Sequence, residues 1–255
     1  MPLSRRALLG AAAAAVAAAC SAERSTRRAT PAASSPAGGG TPPSPPAAGQ
    51  TPVATGPAVE VLRGSSNRPE VALTFHGAGS AALATALLNE AERGGARLTV
   101  LAVGSWLQDN PQLARRILDG GHELGNHTFT HPSLGQLSET AVTKEVAGCA
   151  DVLTKLTGSR GAYFRPSGID RATPLMLAVA GAAGYRTSLG FDVDPRDYQD
   201  PGSAAVGQRL LAAVRPGSVV SLHLGHQGTV DALPAILDGL RGKGLRPVTV
   251  STLLA

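Results

Sequence analysis

The six histidines of this 255-residue chain fall into three short segments, a distribution that points to one shared site. The segments contain His76; His122, His127 and His131; and His223 and His226. His127 and His131 are four residues apart, so a helical turn or a tight loop can present both imidazoles to the same ion. The spacing therefore predicts a divalent-metal site with His127 and His131 as two of its ligands.

The segments that would position these side chains alternate between strand-like and helix-like patterns. Apolar runs indicate strands at residues 71–75, 98–103, 162–165, 187–191, 219–223 and 247–250. Helical patterns, several of them ending on glycine, lie at 81–93, 111–118, 139–156, 174–183, 204–214 and 232–241. The alternation predicts an α/β fold with parallel strands and crossover helices. In α/β barrels, functional residues gather at the carboxyl ends of the strands. His76, Arg165, Asp194 and His223 lie at or just after the ends of predicted strands.

The segment around the histidine pair carries a recognisable motif. Gly121 to Pro132 reads G-H-E-L-G-N-H-T-F-T-H-P. It resembles the H-[ST]-x-x-H metal motif of the polysaccharide deacetylases (NodB-homology domain, carbohydrate esterase family 4). Other segments resemble the first, third, fourth and fifth motifs of that family: Thr74-Phe75, Phe164-Arg165-Pro166, Asp194-Pro195-Arg196-Asp197-Tyr198 and Ser221-Leu222-His223. The order of these motifs fits the family over residues 68–254.

The resemblance implies an irregular (β/α) barrel of the NodB-homology type that removes acetyl groups from N-acetylated sugars. The family holds its metal with one Asp and two His, which would make His127 and His131 ligands here. A bound divalent ion, most simply zinc, would activate water and polarise the acetyl carbonyl. A second Asp would act as general base, and His223 would protonate the leaving amine.

The sequence departs from the family in the first motif, where T-F-D-D-G is replaced by Thr74-Phe75-His76-Gly77-Ala78. His76 stands at the position of the base and Gly77 at that of the metal-binding Asp. In one hypothesis His76 becomes the third ligand of a three-histidine site, a donor set that zinc accepts. In the other, His76 replaces the base, since its ordinary pKa of about 6.5 suits proton transfer near neutrality. We favour the ligand hypothesis because two ligands alone would hold a metal poorly.

The family's Arg orients the missing carboxylate, so Arg165 needs a new partner. Asp194 or Asp197 could supply it through a bidentate ion pair. His223 could instead be a core histidine bonded to the backbone. We expect the following of the remaining candidates: His226 on the rim, His122 and Glu123 in structural roles, Cys149 buried, and Trp106 and Phe129 either stacked on a sugar or in the core.

The ends of the chain differ from its body in composition. Residues 1–20 resemble a twin-arginine export signal that ends in a lipobox-like Ala-Ala-Ala-Cys20, and residues 21–58 form a Pro-, Ala-, Ser- and Gly-rich tether. Five arginines against one glutamate lie in residues 1–58, whereas residues 59–255 carry eighteen bases and seventeen acids. The body therefore offers no basic surface for nucleic acid. We expect an exported monomer in the cell envelope, with Cys20 lipidated or incidental after a cleaved signal.

Two functions remain open at the sequence level. The first is a metal-dependent hydrolase that deacetylates a cell-wall or extracellular glycan. The second is the same barrel without activity, retained as a glycan-binding or scaffolding lipoprotein, because both carboxylates of the first motif are absent. A cytoplasmic sugar enzyme is opposed by the export signal and the tether.

Overall fold

The structure is a computed structural model that describes residues 56–255. The predicted export signal, Cys20 and almost all of the predicted tether lie outside the described residues. Ala58, at the end of the predicted tether, is buried and donates its backbone N–H to the Leu177 carbonyl. The folded body therefore includes this residue.

Strands and helices alternate along the described chain, as the sequence patterns predict. The strands are β1 Val59–Val61, β2 Glu70–Gly77, β3 Thr99–Ala102, β4 Glu123–Asn126, β5 Tyr163–Phe164, β6 Thr187–Leu189, β7 Val219–His223 and β8 Arg246–Val248. The helices are α1 Ala81–Arg93, α2 Gly104–Asp109, α3 Pro111–Asp119, α4 Glu139–Thr157, α5 Pro174–Ala182, α6 Ser203–Ala213, α7 Gln227–Gly242 and α8 Val250–Leu254. Short 3-10 turns occupy Leu134–Gln136 and Asp197–Gln199.

All eight strands belong to one parallel sheet that curls into an irregular barrel. The strand order is β1-β6-β5-β4-β3-β2-β7, and β8 pairs with β2. Beyond β6, Val193 forms a parallel bridge with Val220 of β7, and the Ser221 N–H donates to the Val193 carbonyl. This contact brings the two ends of the sheet together. The predicted α/β fold with a parallel barrel is therefore confirmed.

Strand β2 shows how the barrel directs a polar side chain inward. Val71, Leu73 and Phe75 pack in the outer core beneath the helices, whereas Ala72 belongs to the interior cluster. Because side chains alternate between the two faces of a strand, Thr74 and His76 follow Ala72 into the barrel interior. His76 thus reaches the interior at the carboxyl end of the strand.

Several boundaries differ from the sequence-based predictions. Strands β1 and β4 and helices α2 and α8 were not predicted, because β1 has three residues and β4 reads Glu-Leu-Gly-Asn without an apolar run. The predicted strand 247–250 is divided between β8 and α8, since Thr249 caps the helix by accepting from the Thr252 N–H. None of the helices in residues 56–255 combines the length and apolar character needed to cross a bilayer.

Candidate active site

Two histidines meet at the carboxyl ends of adjacent strands. His76 of β2 lies in register with His223 of β7. Their ring centroids are 4.4 Å apart and the rings meet edge to face at 71°. The sheet register therefore brings together residues that are far apart in the sequence.

His127 and His131 lie on the loop that follows β4, which settles the choice between a helical turn and a loop. Thr128 and His131 adopt left-handed backbone conformations, with φ values of 69° and 61°. Asn126 supports the first turn of the loop by accepting from the Thr128 N–H at 2.9 Å. The loop turns the two imidazoles toward each other, with 3.1 Å between their Nε2 atoms.

Three of the histidines form a group that could hold a metal ion. His76, His127 and His131 each offer a ring nitrogen, and these atoms lie within 4.8 Å of one another. The Nδ1 atom of His127 is 2.9 Å from the Arg165 carbonyl, which can only accept a hydrogen bond. His127 must therefore carry its proton on Nδ1 and present the lone pair of Nε2 to its neighbours.

The donor set and spacing fit a tetrahedral metal such as zinc. With Zn–N bonds of about 2.0–2.1 Å, two ligand nitrogens at a tetrahedral angle stand roughly 3.4 Å apart. The 3.1 Å between the Nε2 atoms of His127 and His131 is close to that spacing. Three imidazoles would leave a fourth position for water, as in catalytic zinc sites.

The surroundings keep these imidazoles neutral, which is the form that binds metal. Burial lowers the pKa of His76 well below its ordinary value, and the neighbouring His127, Arg165, His223 and His131 lower it further. The pKa of His127 is lowered in the same way, first by burial and then by His131. Desolvation of its ring also lowers the pKa of His131.

The second component of the site pairs His223 with Asp197, a buried carboxylate. Oδ1 of Asp197 accepts from His223 Nδ1 at 2.7 Å, while Oδ2 accepts from the His223 backbone N–H at 2.8 Å and from the Thr229 hydroxyl at 2.7 Å. These bonds fix the orientation of the His223 ring and place its proton on Nδ1 or share it with the carboxylate. The carboxylate partner rules against the alternative of a core histidine bonded only to the backbone.

Asp197 was predicted only as a possible partner of Arg165, so the sequence reading missed its role. It begins the 3-10 turn Asp197–Gln199, which is flanked by Arg196 and Asp200 in left-handed conformations. This turn buries Asp197 and leaves Tyr198 exposed. The only sequence signal was the pair of acids in Asp194-Pro195-Arg196-Asp197, which does not reveal which of the two is buried.

The predicted ion pair of Arg165 with Asp194 or Asp197 is wrong. Arg165 is buried and donates from Nε to the Leu189 carbonyl at 2.8 Å and from Nη2 to the Gly190 carbonyl at 3.0 Å. Its Nη1 has no hydrogen-bond partner among residues 56–255. Both carboxylates have other partners: His223 and Thr229 donate hydrogen bonds to Asp197, and the Arg196 N–H donates to Asp194. Burial lowers the pKa of Arg165 to about 9, so the group remains cationic at neutral pH.

A pocket of about 400 Å³ opens beside the histidines. Its lining includes His76, His131, Arg165 and His223 and two carboxylates, Asp170 and Asp194. Asp194 is partly exposed, and desolvation on its buried side raises the pKa of its carboxyl. Its Oδ1 accepts a hydrogen bond from the Arg196 N–H, whereas Oδ2 is free to accept a hydrogen bond from another group. Asp194 therefore lies where the sequence places it, at the pocket, but without the predicted arginine partner.

The other singled-out residues lie outside this pocket. Trp106 is buried and donates from its indole to the Gly79 carbonyl, and Phe129 packs against the main core. Both aromatic residues therefore belong to the core, the second of the two predicted alternatives. His122 accepts from the Leu98 N–H, and Glu123 accepts from Thr99 and Ser251, in agreement with structural roles.

Two further predictions concern the rim and the core. His226 lies 5.8 Å from the pocket residue His223, measured between ring centroids, and pairs with exposed Asp200 at 2.8 Å, as expected of a rim residue. Cys149 is buried, as predicted, and forms no disulfide within residues 56–255.

Comparison with known proteins identifies relatives with related architecture. Residues 63–188 match the family model described as polysaccharide deacetylase. A peptidoglycan-N-acetylglucosamine deacetylase of Bacillus cereus is 31% identical over 74% of this chain and 90% of its own length. A chitooligosaccharide deacetylase of Sinorhizobium fredii is 31% identical over 72% of this chain and 91% of its own length.

A solved structure extends the similarity to the fold. It is described as a mutant of a carbohydrate esterase family 4 pseudoenzyme with restored enzymatic activity, a protein of Bacillus anthracis. It has a TM-score of 0.72 and 25% identity, covering 77% of this chain and 71% of that one. The chain spans only 39% of one longer relative, a peptidoglycan-N-acetylmuramic acid deacetylase of Bacillus subtilis. By sequence and by fold, this chain belongs to the polysaccharide deacetylase family.

Proposed function

We propose that the protein is a metal-dependent hydrolase that removes acetyl groups from N-acetylated glycans of the cell wall or the extracellular space. The observation that carries this proposal is the convergence of three imidazoles, those of His76, His127 and His131, at the edge of one pocket, next to His223, which is hydrogen-bonded to the Asp197 carboxylate. The names of the relatives, which deacetylate peptidoglycan or chitooligosaccharides, suggest the class of substrate.

We assign His76, His127 and His131 as the metal ligands and zinc as the metal. His76 takes the place of the family's carboxylate ligand, and the site keeps three protein donors. When bound, the metal would lower the pKa of a water molecule and polarise the acetyl carbonyl. The His127 bond to the Arg165 carbonyl keeps the ligand nitrogen deprotonated, which supports this assignment.

His223 acts as the general acid in this proposal. Asp197 holds its Nδ1 side, so Nε2 is the nitrogen available to a group in the pocket that His223 lines. A proton held on Nε2 of the imidazolium can be given to the leaving amine, and the buried carboxylate stabilises that charged form.

With His76 used as a ligand, the base that deprotonates water must be another group. We assign it to Asp194, whose raised pKa and uncommitted Oδ2 suit proton acceptance. Asp170 also lines the pocket and provides a matched control. Asp194→Asn is expected to lower kcat by about a hundredfold, the lower end of the usual contribution of a general base, whereas Asp170→Asn leaves it nearly unchanged.

We further propose that the protein works outside the cytoplasm, as a monomer tethered by the Pro-rich segment that precedes Ala58. The twin-arginine-like signal and Cys20 suggest a lipid anchor as its only link to the membrane. Mass spectrometry of the protein purified from its membranes would test the anchor, since an unmodified Cys20 in the mature chain would contradict it.

The enzymatic proposal is tested by acetate release from acetylated chitooligosaccharide and from peptidoglycan, with and without zinc or cobalt. His223→Ala and His226→Ala form a matched pair, because each histidine has a carboxylate partner but only His223 lines the pocket. We expect metal-dependent release that His223→Ala abolishes and His226→Ala preserves.

The competing function is a glycan-binding or scaffolding protein without activity. Gly77 favours it, because this position lacks the carboxylate through which the family binds metal. Retained glycan binding without acetate release from either substrate, at any metal concentration, would establish the competing function instead.

A further inference from the structure

The loop that carries His127 and His131 is held by one side chain from a helix. Glu145 of α4 accepts hydrogen bonds from two consecutive backbone N–H groups of the loop, Phe129 at 2.9 Å and Thr130 at 2.8 Å, both through Oε2. Its Oε1 accepts from the Thr130 hydroxyl at 2.7 Å. Both carboxylate oxygens are therefore committed to the two residues just before His131.

The backbone of this loop needs such support. Thr128 and His131 both have positive φ values, a conformation that is unfavourable for residues with a Cβ and is common only where surrounding contacts impose it. Phe129 and Thr130 lie between these two strained residues, and Glu145 holds both of them. Releasing these N–H groups would remove the side-chain support of this segment and leave it held by the Gly104 and Ser105 N–H groups of α2, which donate to the Thr128 and Phe129 carbonyls.

The two histidines are not equally well fixed without Glu145. His127 follows β4, is buried, and bonds through Nδ1 to the Arg165 carbonyl. His131 is exposed at the pocket, and its ring nitrogen Nε2 meets His127 across 3.1 Å. The position of His131 therefore depends on the path of the loop, which Glu145 supports just before His131 and the Ser167 hydroxyl supports just after it by donating to the Pro132 carbonyl.

We propose that Glu145 is a positioning residue that holds His131 in place for metal binding. Glu145 is not among the three residues of the metal-binding group, nor does it line the pocket, so it acts through the loop. Residues that orient metal ligands from outside the coordination sphere commonly contribute 10–100-fold to metal affinity. This inference rests on the three-histidine metal site of the proposed function.

The test compares the zinc affinity of purified Glu145→Ala, Glu145→Gln and Asp151→Ala with that of the wild-type protein, by competition with a chromophoric chelator. Asp151 is an exposed acid on the same helix whose side chain has no hydrogen bond or ion pair within residues 56–255, so its variant controls for lost charge. Glutamine can accept both N–H groups through its oxygen and donate to the Thr130 hydroxyl through its amide. It therefore keeps the geometry without the charge.

We expect Glu145→Ala to bind zinc about 10–100-fold more weakly than the wild type. Glu145→Gln and Asp151→Ala should bind within about threefold of it, since neither removes the support of the loop. The visible spectrum of the cobalt-loaded protein supplies a second readout, and Glu145→Ala should lose the intensity of a tetrahedral site. The thermal midpoint of each metal-free variant shows whether the fold is intact.

Each outcome separates the inference from the proposed function. If the wild type binds no metal, the three-histidine site itself is wrong. If the wild type binds zinc and Glu145→Ala binds it equally well, the positioning role is overturned while the metal site stands. Equal losses in Glu145→Ala and Glu145→Gln would also overturn positioning, because they would trace the effect to the charge.

Discussion

Protonation of individual ring nitrogens determines what this site can do. A backbone carbonyl fixes the proton of His127 on Nδ1, and a carboxylate engages Nδ1 of His223. The first arrangement leaves a lone pair on Nε2 for a metal, and the second supports a charged imidazole. Two histidines that each lie next to His76 thus have different chemical roles, because their Nδ1 atoms have different hydrogen-bond partners.

Asp197→Asn tests the role of the carboxylate behind His223. The amide can donate to Nδ1, which would move the ring proton to Nε2 and remove the stabilisation of the imidazolium. We expect kcat for acetate release to fall by about 10²–10⁴-fold, while bound zinc and KM change little. An unchanged kcat would show that His223 does not act as the acid, and equal loss of zinc would indicate a general disturbance of the site.

For individual residues, motif spacing predicted which histidines come together, but it did not predict which carboxylate or carbonyl groups they and Arg165 contact. The structure brings His76, His127, His131 and His223 to one pocket edge, as the motif order suggests. The sequence could not distinguish Asp194 from Asp197, because the turn that buries one acid and exposes the other depends on left-handed residues that are not glycine. The carbonyl partners of Arg165 have no sequence signature at all.

Individual strands determine where a replacement side chain can go. At Gly77, a Cβ atom would lie 2.9 Å from Ala102 Cα and 2.9 Å from Val100 Cγ1. Since neighbouring residues of a strand alternate in direction, position 77 faces the core and position 76 the interior. The family's second aspartate therefore does not fit this backbone as it stands.

Gly77→Asp should destabilise the protein by about 1–3 kcal/mol through overpacking against β3, and should not strengthen zinc binding. His76→Asp changes a position that already carries a side chain in the pocket, so its thermal midpoint should stay nearer that of the wild type. Thermal denaturation of the two variants, together with zinc titration, makes the comparison. A stable Gly77→Asp with tighter zinc binding would show that the strand end rearranges to admit the carboxylate.

Prediction of the elements depended on the strength of their patterns. Helix α1 was predicted with its observed ends, because its amphipathic run is bounded by Ser80 and Gly94. Strand β4 was missed, although it directly precedes His127, because Glu123, Gly125 and Asn126 are poor strand formers. Pairing with β3 and β5 stabilises β4, and this pairing between segments distant in sequence leaves no local pattern from which the strand could be predicted.

The barrel as a whole buries ionisable groups that should make it sensitive to alkali. Burial raises the pKa of the Cys149 thiol to about 12, and it also raises the pKa of Tyr185. An unfolded cysteine titrates near pH 8.5, so the folded protein binds more protons above that pH. The stability contributed by the neutral thiol is complete below about pH 8.5 and is lost as the pH rises toward 12.

We therefore expect the unfolding free energy to fall by up to about 1.4 kcal/mol per pH unit above pH 9 from Cys149 alone. Urea denaturation between pH 8 and pH 11 measures this slope. Cys149→Ala is less stable at pH 8 because it leaves a cavity, but its slope should be shallower. An identical slope in both proteins would show that Cys149 does not contribute.

The central claim is that three histidines hold a metal in a polysaccharide deacetylase barrel whose first-motif carboxylates are absent. Its most direct test is the zinc content of the purified wild-type protein and of His76→Ala, measured by mass spectrometry of the metal, with His226→Ala as the control. We predict about one zinc per chain in the wild type and in His226→Ala, and almost none in His76→Ala, because zinc held by protein needs at least three donors. A wild-type protein without zinc, or a His76→Ala variant with full zinc, would contradict the claim.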